Sequence, residues 1–405
     1  MFNNKRWVLL VGGKIELVLK AKSLGLAVLR LQDRKAIDHD RLELADYTFT
    51  ADLHDTKSLI PLIRALHAVI PFEQVISLSE DTLVPASQIR EALHLPGTSV
   101  QTSLLFKDKS AMREHLTLAG VSPVVAEKGT CLEDVITFRN RLGDAPVIVK
   151  PLDAAGSLGV FKVVTKEECE KVISHFQMMG WLPFLMEEYL DGPEISVEAF
   201  SFSGQHHIIC FTDKLITLNF IERGHALPLH LDESQHIQVE KLVKEFLTIM
   251  GLKDGPSHTE IKLTSKGPRI IESHNRVGGD HINELIETAF GCDVKRLCIA
   301  WAFGLAEPSL TLSAQCGAAI RFLIPPPGLI KAVRGIEDIA AAKNVVLKEI
   351  NITPGEVITS VCESGDRRGF VLVKGEDSGK AAQYADTLIN SVILDLHSGE
   401  NAHGA

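Results

Sequence analysis

Two glutamates twelve positions apart offer the clearest chemistry in this chain, Glu260 in HTEIKLT (258–264) and Glu272 in PRIIESHN (268–275). Both segments read as strands joined by a polar turn at 265–267, with apolar neighbours directed to the opposite face. Two carboxylates brought together repel and raise each other's pKa unless a cation lies between them. Mg²⁺ wants such hard oxygens and completes its shell with substrate phosphates, so the pair is a candidate divalent-metal seat. Paired glutamates are also common on plain surfaces. His274 and Arg276 follow Glu272 at two and four residues, and Arg276 has the planar fork that holds an acyl phosphate or a tetrahedral oxyanion.

Three further clusters have the right residue types. Lys150 ends the apolar run PVIVKP and precedes the loop DAAGSLGV (153–160). There Gly156 and Gly159 let backbone N–H groups close over phosphates, with Ser157 as an added donor. A lysine before a glycine turn is equally a surface feature, and the loop matches neither GxxxxGK[ST] nor GxGxxG. In MEEYLDGPEISVE, Glu187 and Glu194 flank a DGP turn. Such a linker can meet an adenine edge while an acid accepts ribose hydroxyls, or it can be a solvated acidic hairpin. Glu80-Asp81 follow an apolar strand at 75–78, where open sheets place ligands. They equally suit the start of a helix.

The elements that must position these residues are legible in outline. Trp7 to Val11, AVLRLQD and QVISLS read as short buried strands, and ELVLKAKSLGL and LIPLIRALHAVI as helices between them. That alternation predicts a parallel α/β sheet. A single helix is expected over 103–120, carrying Lys107, Asp108 and Lys109. Strands are expected at 146–151, at FKVV and on both sides of the DGP turn, and a helix over 236–250, after a mixed stretch ending at Leu231. Past Pro308, strands separated by Pro/Gly turns and a closing helix AAQYADTLINSVILDL read as a third, smaller α+β unit. The expected division is 1–100, 101–308 and 309–397, with a frayed tail at 398–405.

Composition narrows the function classes. With 405 residues and 45% apolar content the chain can bury several cores. A formal net charge of −10 with no basic run argues against nucleic acid as a partner. Seven scattered cysteines without CxxC favour reduced thiols over disulfides or a zinc site. No apolar run approaches a membrane span, and Trp7 to Val11 is too short for a signal segment, so the expected location is the cytoplasm. His206, His207, His230 and His236 lack metal-like spacing and read as surface or helix-end residues.

The order of these features resembles the ATP-grasp superfamily over nearly the whole chain. Residues 1–100 look like the small α/β domain that precedes the grasp, and 101–308 like the two lobes that close on ATP. The resemblance implies that Lys109 and Lys150 contact phosphates, with Gly156, Ser157 and Gly159 in the loop above. It implies that Glu187, Glu188, Tyr189 and Leu190 meet adenine, that Glu194 holds ribose, and that Glu260 and Glu272 carry Mg²⁺ or Mn²⁺. HTEIKL, IESHNRVGGDHI, IERGHALP (221–228), PPPG (325–328) and the SGDRRG turn (364–369) are similar to the L-amino-acid ligases that make dipeptides. That likeness places Glu222 and His225 beside the amino-acid site and Arg276 against the phosphorylated intermediate; Glu80, from its place beyond a strand end, and His274 are expected at the substrate with them. One departure is Glu-Ser-His at 272–274, where many grasp enzymes have ExN; Mg²⁺ disfavours nitrogen, so His274 is expected behind the metal or facing substrate.

The expected activity is an ATP-dependent ligase that activates a carboxylate as its acyl phosphate and passes it to an amine, with small-molecule substrates, no nucleic-acid or membrane partner, and a homodimer as the default assembly. A grasp enzyme with another acceptor, of the purine-pathway formyl or carboxyl type or like a biotin carboxylase, is the alternative. A non-catalytic ATP sensor would not need both metal acids and Arg276. A Rossmann oxidoreductase is rejected because VGGK lacks GxGxxG.

Overall fold

The computed structural model describes residues 5–35, 39–154, 156–310 and 312–396; the tail at 398–405 and Ala155 of the glycine loop lie outside them. Four parallel strands open the chain: β1 (Trp7–Val11), β2 (Ala27–Asp33), β3 (Tyr47–Ala51) and β4 (Gln74–Ile76), in the order β3-β2-β1-β4. β1 is buried along its whole length, as a strand covered on both faces must be. β3 falls in a stretch that sequence reading left as polar. Its YTFTA alternation of aromatic and β-branched residues is the strand signal that was passed over.

Beyond β4 the chain turns through Glu80–Thr82 into the helix Leu83–Leu93. Thr82 Oγ1 donates to Val11 O at 3.1 Å. That contact needs Gly12, where φ is +66° and an added Cβ would meet Thr82 Oγ1 at 2.6 Å. The close approach fixes Glu80 beyond the carboxyl end of the sheet.

The single helix expected over 103–120 is two helices, Val100–Lys107 and Lys109–Ala119. Asp108 leaves helical geometry and accepts the N–H groups of Ser110 and Ala111 at 2.8 and 3.0 Å. Lys109 therefore starts a helix, with its backbone N–H bonded to Leu152 O. A second sheet follows, β5 (Ala126–Gly129), β6 (Val147–Pro151), β7 (Phe161–Val163) and β8 (Phe184–Glu188), antiparallel in the order β5-β8-β6-β7. Its core includes Phe138, Phe176 and Phe184.

The segment read as a mixed stretch to Leu231 contains two strands of the central sheet. β9 (Glu194–Phe202), β10 (Gln205–Ile216), β11 (Glu222–Leu227), β12 (Gly255–Thr264) and β13 (Gly267–His274) run antiparallel, with the helix Glu233–Ile249 packed against them. His206 on β10 is a correction to the surface reading. It is buried under that helix, with Nδ1 2.8 Å from Ser201 Oγ and Nε2 3.2 Å from Thr248 Oγ1. His230 and His236 are exposed.

The rest of the chain supplies β14 (Gly317–Phe322), β15 (Gly328–Arg334), β16 (Val345–Ile350), β17 (Val357–Ile358), β18 (Gly369–Gly375) and β19 (Ile393–Leu396). The order β13-β12-β9-β10-β11-β14-β18-β16 makes one eight-stranded sheet, while β17-β15-β19 form a small separate one. The closing helix ends at Asn390 rather than running on: the β-branched and apolar run after it pairs with β15 as β19. The division of the chain at 308 stands as a proposal, since three strands beyond it extend the same sheet. No helix among the described residues is long and apolar enough to cross a membrane. All seven cysteines are free thiols.

Candidate active site

Glu260 on β12 and Glu272 on β13 are direct cross-strand partners, so their carboxylates project from one face. Each is surrounded by cations. Lys109 Nζ lies 3.0 Å from Glu272 Oε2, and His274 Nε2 lies 3.0 Å from Oε1. Lys214 Nζ donates to Glu260 Oε1 at 2.6 Å, with His258 Nε2 at 3.4 Å. Burial and mutual repulsion work against ionisation of the pair. The lysines and histidines outweigh them and hold both carboxyls well below the ordinary range. Glu260 Oε2 makes no hydrogen bond among the described residues.

This donor set fits a hard divalent ion: two ionised carboxylates, facing, with an unused oxygen. No group of three or more His, Cys, Asp or Glu side chains is disposed to hold an ion among the described residues. The two glutamates would therefore need further oxygens from a ligand, which is how Mg²⁺ is commonly held at phosphate sites.

Lys150 ends β6 and Lys109 begins its helix, and both line the cavity that contains the two glutamates. Lys109 Nζ also donates to Ala154 O at 2.6 Å, which ties it to the glycine loop. Lys150 is paired with Glu187, which Arg113 also engages; all three side chains are buried. Burial disfavours the charge on Glu187, but Arg113 and Lys150 outweigh it and hold the carboxyl at about 2. The expectation that Glu187 faces an adenine edge thus needs revision for its side chain, which anchors Lys150 from behind.

The first two N–H groups of the linker at the end of β8 are spent within the fold. The N–H groups of Glu188 and Tyr189 bond to Val125 O and Pro146 O at 2.9 and 3.2 Å. The N–H of Leu190 has no such partner among the described residues, so it is the donor left for a planar ligand edge. Tyr189 itself carries the Lys162 ammonium 3.8 Å above its ring. Glu194 opens β9 and takes Lys214 Nζ at 2.8 Å and Lys262 Nζ at 3.3 Å. Gly156 and Ser157 line the same cavity; Ser157 Oγ is spent on Phe220 O at 2.8 Å. Gly159 does not line it. Its φ is +71° and an added Cβ would meet Trp181 and Pro151 at under 3 Å, so its part is to fold the loop.

Toward the other end lie Glu222, His225, His274 and Arg276, all lining the cavity. Glu80 adds its carboxylate from the first sheet, 2.7 Å from Arg276 Nε. His274 Nδ1 lies 2.8 Å from the same oxygen, an ion-pair contact without hydrogen-bond alignment. His274 thus sits between Glu272 and Glu80. Asp81, next in sequence, is an exposed side chain and takes no part. Glu222 accepts from Ser364 Oγ, and His225 Nε2 meets Asp280 Oδ2 at 3.1 Å. Arg276, Gly279, Asp280 and Ser364 also line an adjoining cavity of about 700 Å³. The two cavities thus meet at Arg276, Gly279, Asp280 and Ser364.

Sequence reading missed several participants. Lys214 was invisible because β10 was not recognised; its ammonium is buried among Glu194, Glu222 and Glu260, which raise its pKa well above the usual value against the burial that lowers it. Arg113 has only the helix spacing from Lys109 to suggest it. His258 stands in HTE, two residues before Glu260, on the strand face they share; its Nδ1 meets the buried Glu198 at 2.9 Å. Asp280 and Arg367 lie far apart in the chain, and nothing local pairs them.

Comparison with known proteins supplies a frame for this geometry. Family models match as an ATP-grasp N-terminal domain over 18–97, an ATP-grasp domain over 143–284 and an L-amino acid ligase C-terminal domain 2 over 321–396. Alanine–anticapsin ligase of Bacillus subtilis (strain 168) is 29% identical over 241 residues, 54% of this chain and 51% of that protein. The chain thus spans about half the length of that relative. An L-arginine-specific L-amino acid ligase of Bacillus subtilis is 23% identical over 329 residues, 78% of each chain. The crystal structure of an L-amino acid ligase from Bacillus licheniformis superposes with a TM-score of 0.83 over 97% of this chain and 99% of that one, at 20% identity. That last likeness speaks for the fold.

Proposed function

We propose that this chain, which belongs to the ATP-grasp superfamily, is an ATP-dependent carboxylate–amine ligase that joins two amino acids, or an amino acid and a related small acid. The observation that supports this reading best is the single cavity in which Glu260 faces Glu272, Lys109 and Lys150 stand beside them, and Arg276 and Glu222 continue the same wall. Such an arrangement suits phosphoryl transfer followed by acyl transfer, with charge stabilisation and positioning as the main sources of rate.

In this proposal Glu260 and Glu272 would hold a divalent ion, which would supply charge neutralisation for the nucleotide phosphates. Lys109 and Lys150 take the remaining phosphate charge. A substrate carboxylate then attacks the γ-phosphoryl group, giving an acyl phosphate and ADP. An unprotonated amine attacks the acyl carbon, phosphate leaves, and Arg276 with its paired N–H groups stabilises the oxyanion formed on the way. Leu190 N–H meets the adenine edge and Glu194 the ribose. The 156–159 loop shields the acyl phosphate from water. Small acyl and amine substrates would occupy the end of the cavity lined by Glu222, His225 and His274, and the adjoining cavity past Arg276.

The test is a matrix of amino-acid pairs and small acids, scored for phosphate release with mass detection of product. A pair that yields ADP, phosphate and an amide in equal amounts is the expected outcome. Phosphate release that depends on bicarbonate or formate, and on no amino-acid pair, would replace this reading with the carboxyl- or formyl-transfer alternative.

A further inference from the structure

Among the polar clusters not needed for the chemistry above, one joins four separate stretches of chain at a single side chain. Arg367, in the turn between β17 and β18, is nearly buried and uses four of its five N–H groups. Nε donates to Ser364 O at 2.6 Å and Nη1 to Glu222 O at 3.1 Å. Nη1 and Nη2 grip the two Asp280 oxygens at 2.8 and 2.5 Å. The guanidinium lies 3.7 Å above the Phe322 ring, which fixes its plane. Asp280 in turn holds His225, and Ser364 holds both the Glu222 carboxylate and, through its N–H, Gly156 O at 3.1 Å. The glycine loop is therefore docked at Ser364, and Ser364 is docked by Arg367. The dock is close: a Cβ at Gly156 would lie 3.7 Å from Ser364 Cβ.

We propose that Arg367 is a positioning residue that fastens the 156–159 loop over the nucleotide end and, through the same turn, sets Glu222 and His225 at the substrate end. Closure over the phosphates and assembly of the amine site are then one event. The consequence for chemistry rests on the ligase reading. When the loop is unfastened, water rather than the amine attacks the acyl carbon of the acyl phosphate. That attack returns the free carboxylate and phosphate, so ATP is consumed without product. Neither Arg367 nor Ser364 is required to touch a reacting atom.

The experiment compares Arg367→Met, Arg367→Lys and Ser364→Pro in the full chain. Two readouts are taken: the dissociation rate of a non-hydrolysable, fluorescent ATP analogue, and the ratio of phosphate released to amide formed. Arg367→Met is expected to release the analogue about tenfold faster, the scale of a lost charge-assisted hydrogen bond. Its phosphate-to-product ratio should rise well above one. Ser364→Pro removes the N–H that docks Gly156 O at the first position of a 3₁₀ turn, after an extended residue, where proline fits. It should move both readouts in the same direction with the Arg367–Asp280 pair intact, and it decides the matter if Arg367→Met does not fold. Arg367→Lys, which keeps the charge and loses the fork, should recover part of the slow dissociation. An Arg367→Met protein with parental dissociation and coupling, or one that loses phosphate release and product equally at unchanged dissociation, would overturn the proposal. If the parent protein ligates no pair at all, the ligase reading fails, while the dissociation rates still decide whether Arg367 fastens the loop.

Discussion

Glu187→Gln isolates the buried ion cluster behind Lys150. The substitution keeps side-chain volume and removes one charge, leaving the Lys150 ammonium and Arg113 guanidinium buried without their direct counter-ion. Arg113 already has one buried Nη without a partner, so it cannot absorb the loss. A carboxyl held at about 2 instead of 4.5 contributes about 3 kcal/mol to the folded state. Breaking a buried pair by removing one partner costs about 3–5 kcal/mol, which agrees. A fall in melting midpoint on the order of 10 °C is expected by scanning calorimetry. The pKa is depressed on folding, so this stabilisation is fully present above pH 4.5 and lost as pH falls toward 2. The gap between parent and variant should therefore be widest at neutral pH and close under acid. Because Lys150 loses the group that aims it, apparent ATP affinity should fall about tenfold or more. A variant with the parental melting midpoint and ATP affinity at pH 7 would refute the assignment of Glu187 as the anchor of Lys150.

Two further outcomes follow from the cavity. Glu272→Ala should abolish amino-acid-dependent ADP release and weaken Mn²⁺ binding measured by electron paramagnetic resonance in the presence of nucleotide; near-normal turnover would remove Glu272 from the metal role. Arg276→Ala should lower kcat by about 100-fold while changing nucleotide binding little, the pattern of a group that works on developing negative charge. An unchanged kcat would exclude it from the mechanism.

What the sequence revealed, and what it hid, has a physical pattern. The Glu260–Glu272 register was readable because a short polar turn fixes a hairpin and alternation fixes its faces. Lys150 was readable because it closes a compact apolar run before a glycine loop. Asp108 was misread because a capping aspartate between two apolar-periodic segments looks like an interior helix residue until its side chain turns back. β10 was missed although it carries Lys214, because HHIICFTDKLI mixes buried polar residues that only partners elsewhere in the fold make tolerable. Arg113 lies 74 positions from Glu187, Arg367 87 from Asp280 and Glu80 196 from Arg276, and no local spacing encodes such pairs. Local patterns mark where charged groups must sit, but the opposing charges that make them bearable come from the fold.

The most direct measurement of the central claim follows oxygen. A substrate carboxylate labelled with ¹⁸O is turned over with ATP, Mg²⁺ and its amine partner, and the released phosphate is weighed by mass spectrometry. An acyl phosphate formed in this cavity transfers one labelled oxygen to each phosphate. Phosphate that carries no label while amide accumulates would contradict it.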